Sequence, residues 1–230
     1  AIINITTGAG LGMTMDQRLA AANWAKPEIA SMNMGSFNFN ISGAAKRGQF
    51  DHEWEQPYLE MTTDFILSNT FTQIERAMTE LGDHGTRFEF ECYDVGHLYN
   101  LAHFADRGMV KPPFFVQSIF GILGGIGADP ENLMNMKATA DRLFGEDYFL
   151  SVLAAGRHQF PFLTMGAILG GNVRVGLEDN LYLSKGQLSP SNAASVTKIR
   201  HILEELSLEI ATPDEAREML GTKGAANVGF

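Results

Sequence analysis

The sequence predicts an α/β protein built on a parallel sheet, and three observations lead there. Strand-like apolar runs alternate with helical ones along the whole 230-residue chain, which is the pattern of repeated βα units. The run 172–177 is short, β-branched and flanked by glycines, as expected of a parallel strand covered on both faces. Arg174, Glu178 and Asp179 then emerge where a βα loop would begin, the end of a parallel strand at which functional groups collect.

The first strand candidate, 2–6, runs into a glycine-rich turn, 6–12, that lacks both Gly-x-Gly-x-x-Gly spacing and a Walker lysine. Thr14 with Gln17 has the form of a capping box and starts the first helix. The second strand is 29–34. A polar segment, 44–56, follows without a clear period and suggests an oligomer contact. A short apolar run at 65–69 precedes a helix capped by Thr70 and Gln73, and reads as an excursion from the sheet. Strands are expected at 88–93 and 114–120, then a helix opened by Asp129-Pro130 that continues to Phe144, then a strand at 149–154. After 172–177, Ser191 or Asn192 caps a helix whose Val196, Ile199, Ile202, Leu203 and Leu206 share one face. Thr212-Pro213-Asp214-Glu215 opens the last helix.

Composition narrows the function. At 45% hydrophobic content the chain can bury one core, so residues 1–230 are expected to form a single domain. Its 17 basic residues against 27 acidic ones give a net charge of −10, with no basic stripe, which disfavours nucleic acid and anionic membranes as partners. Cys92 is the single cysteine and has no partner within the chain, as suits a reducing cytoplasm. The longest apolar stretch, 112–128, is broken by Gln117, Ser118 and four glycines, short of the roughly 20 apolar residues a membrane span needs.

Arg174-Val175-Gly176-Leu177-Glu178-Asp179-Asn180 resembles the signature of the β-keto acid cleavage enzymes, and three further segments resemble that family in the same order. They are Asn4-Ile5-Thr6-Thr7-Gly8, the run 27–39 from Pro27 to Phe39, and the run 88–98 from Phe88 to Leu98. The resemblance implies a (β/α)8 TIM barrel and a zinc-dependent acyltransferase that converts a β-keto acid plus acetyl-CoA to acetoacetate plus a new acyl-CoA. It implies a homo-oligomer, a tetramer by the family's habit. Six strand candidates stand against the eight a barrel needs, so the resemblance also implies that the first two βα units, roughly 60 residues or more, precede this segment.

Within that resemblance each site residue has an implied role. Glu178 matches the carboxylate zinc ligand, with a His-x-His pair expected upstream because the six histidines here are scattered. Asp179 matches the general base and Arg174 the cation that cooperates with it; a guanidinium positions and stabilises charge rather than accepting protons. Glu91 matches an active-site glutamate that contacts the substrate's polar end. Thr6, Ser31 and Asn33 match small donors for a carboxylate or thioester carbonyl. Two other readings fit the same residues: a metal-dependent TIM-barrel aldolase or lyase without coenzyme A, and a non-catalytic degenerate barrel. Acetyl-CoA dependence separates the first, and an upstream segment without the histidine pair marks the second.

Overall fold

Six parallel strands make the one large sheet among the described residues, in the order β1-β2-β5-β6-β7-β8. The computed structural model describes residues 1–8, 10–47 and 49–230; Ala9 of the glycine-rich turn, Gly48 of the polar segment and the Arg47 side chain lie outside that description. In chain order the elements are β1 (Asn4–Ile5), α1 (Met15–Ala25), β2 (Ile29–Asn33), β3 (Phe37–Asn38), α2 (Glu55–Met61), β4 (Ile66–Leu67), α3 (Phe71–Gly82) and β5 (Arg87–Cys92). Then come α4 (Val95–Asp106), β6 (Phe114–Phe120), α5 (Pro130–Phe144), β7 (Tyr148–Ala154), α6 (Gln159–Ile168), β8 (Asn172–Val173), β9 (Tyr182–Ser184), β10 (Gln187–Leu188), α7 (Asn192–Glu205) and α8 (Pro213–Leu220). The capping boxes at Thr14, Thr70 and Thr212 and the Ser191 cap all form. Among the described residues no helix is long and apolar enough to cross a membrane.

The sheet has two unlike faces, because successive side chains of a strand point in opposite directions. Ala30, Met32, Phe88, Phe90, Cys92, Phe114, Val116, Leu150 and Val152 face the helices and form the core with residues such as Leu19, Ile74, Leu98, Leu133 and Leu163. Ser31, Asn33, Glu89, Glu91, Gln117 and Ser151 occupy the alternate positions in register across neighbouring strands. They are polar and yet buried. Burial comes from curvature. β5 and β8 are three strand spacings apart, about 14 Å in a flat sheet, but Arg174, directly after β8, bonds Glu91 of β5 at 3.0 Å. The parallel sheet therefore curls around its polar face, with β1 and β8 as its edges among the described residues.

Two expectations need correction. The strand expected over 172–177 ends at Val173, although Arg174 N still donates to Val152 O at 3.2 Å. Beyond it the backbone groups find other partners: Leu177 N donates to Asn192 Oδ1 at 2.8 Å and Gly156 N donates to Asp179 O at 2.7 Å, so a turn replaces the strand. Of the stripe expected on α7 only Ile199 is buried, and Val196 and Leu206 are exposed. The helix meets the core along a narrow line through Ser195, Ile199, Ile202 and Leu203.

The run 65–69 is an excursion, as expected: β4 pairs antiparallel with β3, apart from the large sheet. The polar segment holds a 3-10 turn, Ser42–Arg47, and ends in α2. This excursion is pinned to the β6–α5 loop, where Asn40 N donates to Leu123 O at 3.1 Å. Gly124 there has φ +108°, and a Cβ would stand 1.5 Å from Asn38 O. Gly124→Ala is expected to destabilise the protein by about 3 kcal/mol, from backbone strain plus overpacking. Gly82→Ala, with nothing within 4 Å of the added carbon, is the control, and chemical denaturation of both reads the difference.

The two ends of the sequence meet at the opposite rim. Glu28, buried at the start of β2, accepts from Arg217 Nε and Nη2 of α8, each at 3.0 Å, and from Thr222 Oγ1 at 2.7 Å. The Arg217 hydrogen bonds hold its carboxyl below the usual carboxylate range.

Candidate active site

One cation gathers four carboxylates at the C-terminal ends of the strands. Arg174 Nη1 bonds Glu91 Oε1 at 3.0 Å, Nη2 bonds Glu178 Oε2 at 2.9 Å, Nε lies 3.5 Å from Asp179 Oδ2, and Nη1 lies 3.7 Å from Glu89 Oε1. The fork of the guanidinium makes this possible, since its donors point in several directions at once. Glu91 and Asp179 are buried beside it, whereas the Glu178 side chain is 82% exposed.

Local structure fixes each member. Glu91 projects from β5 because the Phe88-Glu89-Phe90-Glu91 alternation sends both phenylalanines to the helices and both glutamates to the concave face. Asp179 lies in a turn held by the Gly156 amide and, through Leu177, by Asn192 at the start of α7. Gln159 adds a bond from Nε2 to Gly176 O at 3.4 Å. Ser31 meets the loop after β1, where its Oγ is 3.5 Å from Thr6 Oγ1 and Thr7 Oγ1 donates to Ser31 O at 2.7 Å. Arg18 Nε ties that loop down by donating to Thr7 O at 3.0 Å. Asn33 sits beside Glu91 in register, and its buried Oδ1 has no protein partner, an acceptor left for a ligand's donor.

The structure thus brings Glu91, Arg174, Glu178 and Asp179 into direct contact and sets Asn33 next to them, while Thr6 of the loop after β1 meets Ser31 of β2. Sequence reasoning missed Glu89, Asn4 and Gln117. Asn4 Nδ2 donates to Glu89 Oε2. With the Gln117 oxygen accepting from the backbone amides of Val152 and Leu153, its Nε2 donates to Glu89 Oε1 at 2.9 Å. The signal for Glu89 was present, two residues before Glu91 on the same strand face. His97 is structural, since Tyr93 N donates to its Nδ1 at 3.1 Å in the core, and His103 packs edge-on to Phe71 and Phe104.

Burial sets the proton inventory. It pushes the Glu91 carboxyl up to about 8, with the Glu89 carboxylate adding to the rise and Arg174 opposing it. Asp179 goes up to about 6, again from burial against the pull of Arg174. Glu89 is raised for the same reason, and burial, which lowers the Arg174 pKa, is outweighed by its carboxylate neighbours. A carboxyl whose pKa rises on folding binds its proton more tightly in the native state, so its stabilising share is largest at low pH and is lost as pH climbs through the raised value. Protein treated with chelator is expected to lose thermal stability between pH 4.5 and about 8. Glu91→Gln should flatten that slope, read as melting temperature against pH.

The arrangement suits abstraction and stabilisation of a proton from a carbon acid, with a buried base, a cation beside it and a neutral carboxyl able to donate. Among the described residues no three His, Cys, Asp or Glu side chains converge as a metal site. The donor set here is one exposed carboxylate, Glu178, in a cluster that carries more negative than positive charge, which fits a divalent cation completed by ligands from elsewhere.

Comparison with known proteins points the same way. The family model described as beta-keto acid cleavage enzyme matches residues 1–222. A protein of Paraburkholderia graminis named 3,5-dioxohexanoate:acetyl-CoA acetone transferase is 56% identical over the whole of this chain, which covers 74% of its length. A 3-keto-5-aminohexanoate cleavage enzyme of Acetoanaerobium sticklandii is 34% identical over 96% of the chain and 71% of its own length. Among solved structures, a ternary complex of ObcA with a C4-CoA adduct and oxalate superposes with a TM-score of 0.64 at 18% identity. The match covers 96% of this chain and 52% of ObcA, so the chain spans about half of that neighbour.

Proposed function

This chain belongs to the β-keto acid cleavage enzyme family, and we propose on that basis that it works as an acetyl-CoA-dependent acyltransferase converting a β-keto acid plus acetyl-CoA to acetoacetate plus a new acyl-CoA. The observation that carries the reading is the Arg174 cluster, in which Glu91, Glu178 and Asp179 meet one guanidinium at the mouth of the polar trough. The six-stranded curled sheet is read as six staves of a (β/α)8 barrel whose remaining βα units lie outside the described residues.

Asp179 takes the proton from the carbon between the carboxylate and ketone of the keto acid. Its buried, raised pKa makes it a stronger base than an exposed aspartate. Arg174 holds Asp179 in place and balances the charge that moves onto substrate. Glu91, kept protonated at neutral pH, donates a hydrogen bond to the substrate's polar end. Thr6, Ser31 and Asn33 bind its carboxylate or the thioester carbonyl. Glu178 would hold a zinc ion together with imidazoles from outside the described residues, and the metal would supply a Lewis acid for the ketone oxygen. Glu178→Ala is expected to lower the zinc content found by elemental analysis, and full occupancy in that variant would remove its ligand role.

The keto acid is a short one with an uncharged side chain, on the strength of the 56%-identical relative. For 3,5-dioxohexanoate the stoichiometry requires one acetoacetate and one acetoacetyl-CoA per turnover. Appearance of both in equal amounts, and only with acetyl-CoA present, is the test; cleavage without acetyl-CoA would favour the aldolase reading. The protein works as a homo-oligomer, through a face that includes exposed Trp54, Tyr58 and Met61 of the polar segment and α2. Sedimentation of a Trp54→Ser variant, expected to be smaller than the parent, tests that contact.

A further inference from the structure

One buried ionisable group, Glu89, has no task in the chemistry proposed above. It lies two residues before Glu91 on the same face of β5 and is closed off from solvent. Nitrogen donors converge on its carboxyl from three strands' worth of sheet: Asn4 Nδ2 donates to Oε2, Gln117 Nε2 donates to Oε1 at 2.9 Å, and Arg174 Nη1 stands 3.7 Å from Oε1. The Gln117 amide cannot turn round. Its oxygen accepts from the backbone amides of Leu153 at 3.0 Å and Val152 at 3.3 Å, which only donate, so the Nε2 hydrogens point the other way, to Glu89 and to Ser151 Oγ at 3.0 Å.

Glu91 is placed differently. Among the described residues Arg174 is the one side-chain partner of its carboxyl, through Oε1 at 3.0 Å, and Oε2 is left to carry a hydrogen. Two carboxyl groups buried on one face of one strand do not both ionise readily, and donors gathered on the first favour the neutral form of the second. The charges agree with the geometry. Burial lifts Glu91 and the Glu89 carboxylate adds to the rise, whereas burial lifts Glu89 against the opposing pull of Arg174 and Asn4. The other ionisable groups near Glu91 among the described residues are Arg174, Glu178 and Asp179 from the segment after β8, with Cys92 and Tyr93 beside it in the chain. Arg174 is the one cation in that set.

We propose that Glu89 is a positioning residue: fixed as the anion by Asn4 and Gln117, it keeps the proton of the glutamate pair on Glu91 and so preserves Glu91 as a hydrogen-bond donor to the substrate. The donor role rests on the acyltransferase reading; the place of the proton does not. Glu89→Gln removes the charge and keeps the shape, since the new oxygen accepts from Gln117 and the Asn4 amide can turn to accept from the new nitrogen. In turnover, kcat/KM of the parent is expected to fall as pH rises through about 8, and in Glu89→Gln to fall about one pH unit lower. Melting temperature reads the same proton without turnover: its decline with rising pH is expected to end about one unit lower in the variant. A melting profile that does not move, or a turnover profile in which that fall is missing or unmoved, overturns the proposal. Infrared spectra of the parent protein at about pH 7, above the Asp179 value, need no folded Glu89 variant. The band of a neutral buried carboxyl is expected there and is expected to vanish in Glu91→Gln; a band that persists in that variant, or none in the parent, overturns the proposal as well. A shifted melting profile in a protein that forms no acetoacetate would keep the proton on Glu91 and remove the acyltransferase reading.

Discussion

Asp179→Asn is expected to lower the rate of acetoacetate formation by about 10²–10⁴-fold, the range a positioned general base contributes, while the zinc content stays that of the parent protein. The substitution keeps the shape of the side chain and leaves the bond from Gly156 N to the residue's carbonyl oxygen, so the turn persists. What it removes is the proton acceptor. Arg174 retains Glu91 and Glu178 as partners, which preserves the local architecture. Because the wild-type carboxyl is raised to about 6 by burial, the variant should be at least as stable as the parent above that pH. Turnover, elemental analysis and a melting curve on one sample separate loss of chemistry from loss of fold, and retained activity would dismiss Asp179 as the base.

Arg174→Leu should damage both. It strips the cation from four carboxylates, three of them buried. Removing one partner of a buried ion pair costs about 3–5 kcal/mol, and the lower end applies because Glu89 and Glu91 can take up protons. The deficit should therefore shrink toward pH 5, where Glu91 and Asp179 bind protons, and widen toward pH 8. Arg174→Lys is expected to recover part of the stability and little of the activity, since one ammonium cannot face Glu91, Glu178 and Asp179 together. Denaturation at several pH values reads the first claim, and a pH-independent loss would show that the cluster is not held by its charges.

The architecture was legible in local sequence signals. The strand 114–120 and the three capping boxes form as read, because alternation and caps are short-range effects. Curvature was not legible: it depends on Arg174 meeting a glutamate 83 residues away, and no periodicity encodes that. The site divides the same way. Asp179, Arg174 and Glu178 stand together in the sequence, and the family resemblance singled them out. Glu89, Asn4 and Gln117 come from three different strands, and only register brings them to one carboxylate. The strand expected over 172–177 stops at Val173 because Leu177 N donates to Asn192 and Asp179 O accepts from Gly156 N, partners that lie on other elements.

The Glu28–Arg217 clasp imposes an order on biosynthesis. Glu28 directly precedes β2, yet its guanidinium partner is translated 189 residues later, so a nascent sheet must either solvate that carboxylate or wait. Long-range closures of this kind slow folding and expose incomplete intermediates to association. A chain halted at Thr212 is accordingly expected to keep its amino-terminal strand protease-sensitive, and release of the next ten residues to seal it, as limited proteolysis of stalled ribosome complexes would record.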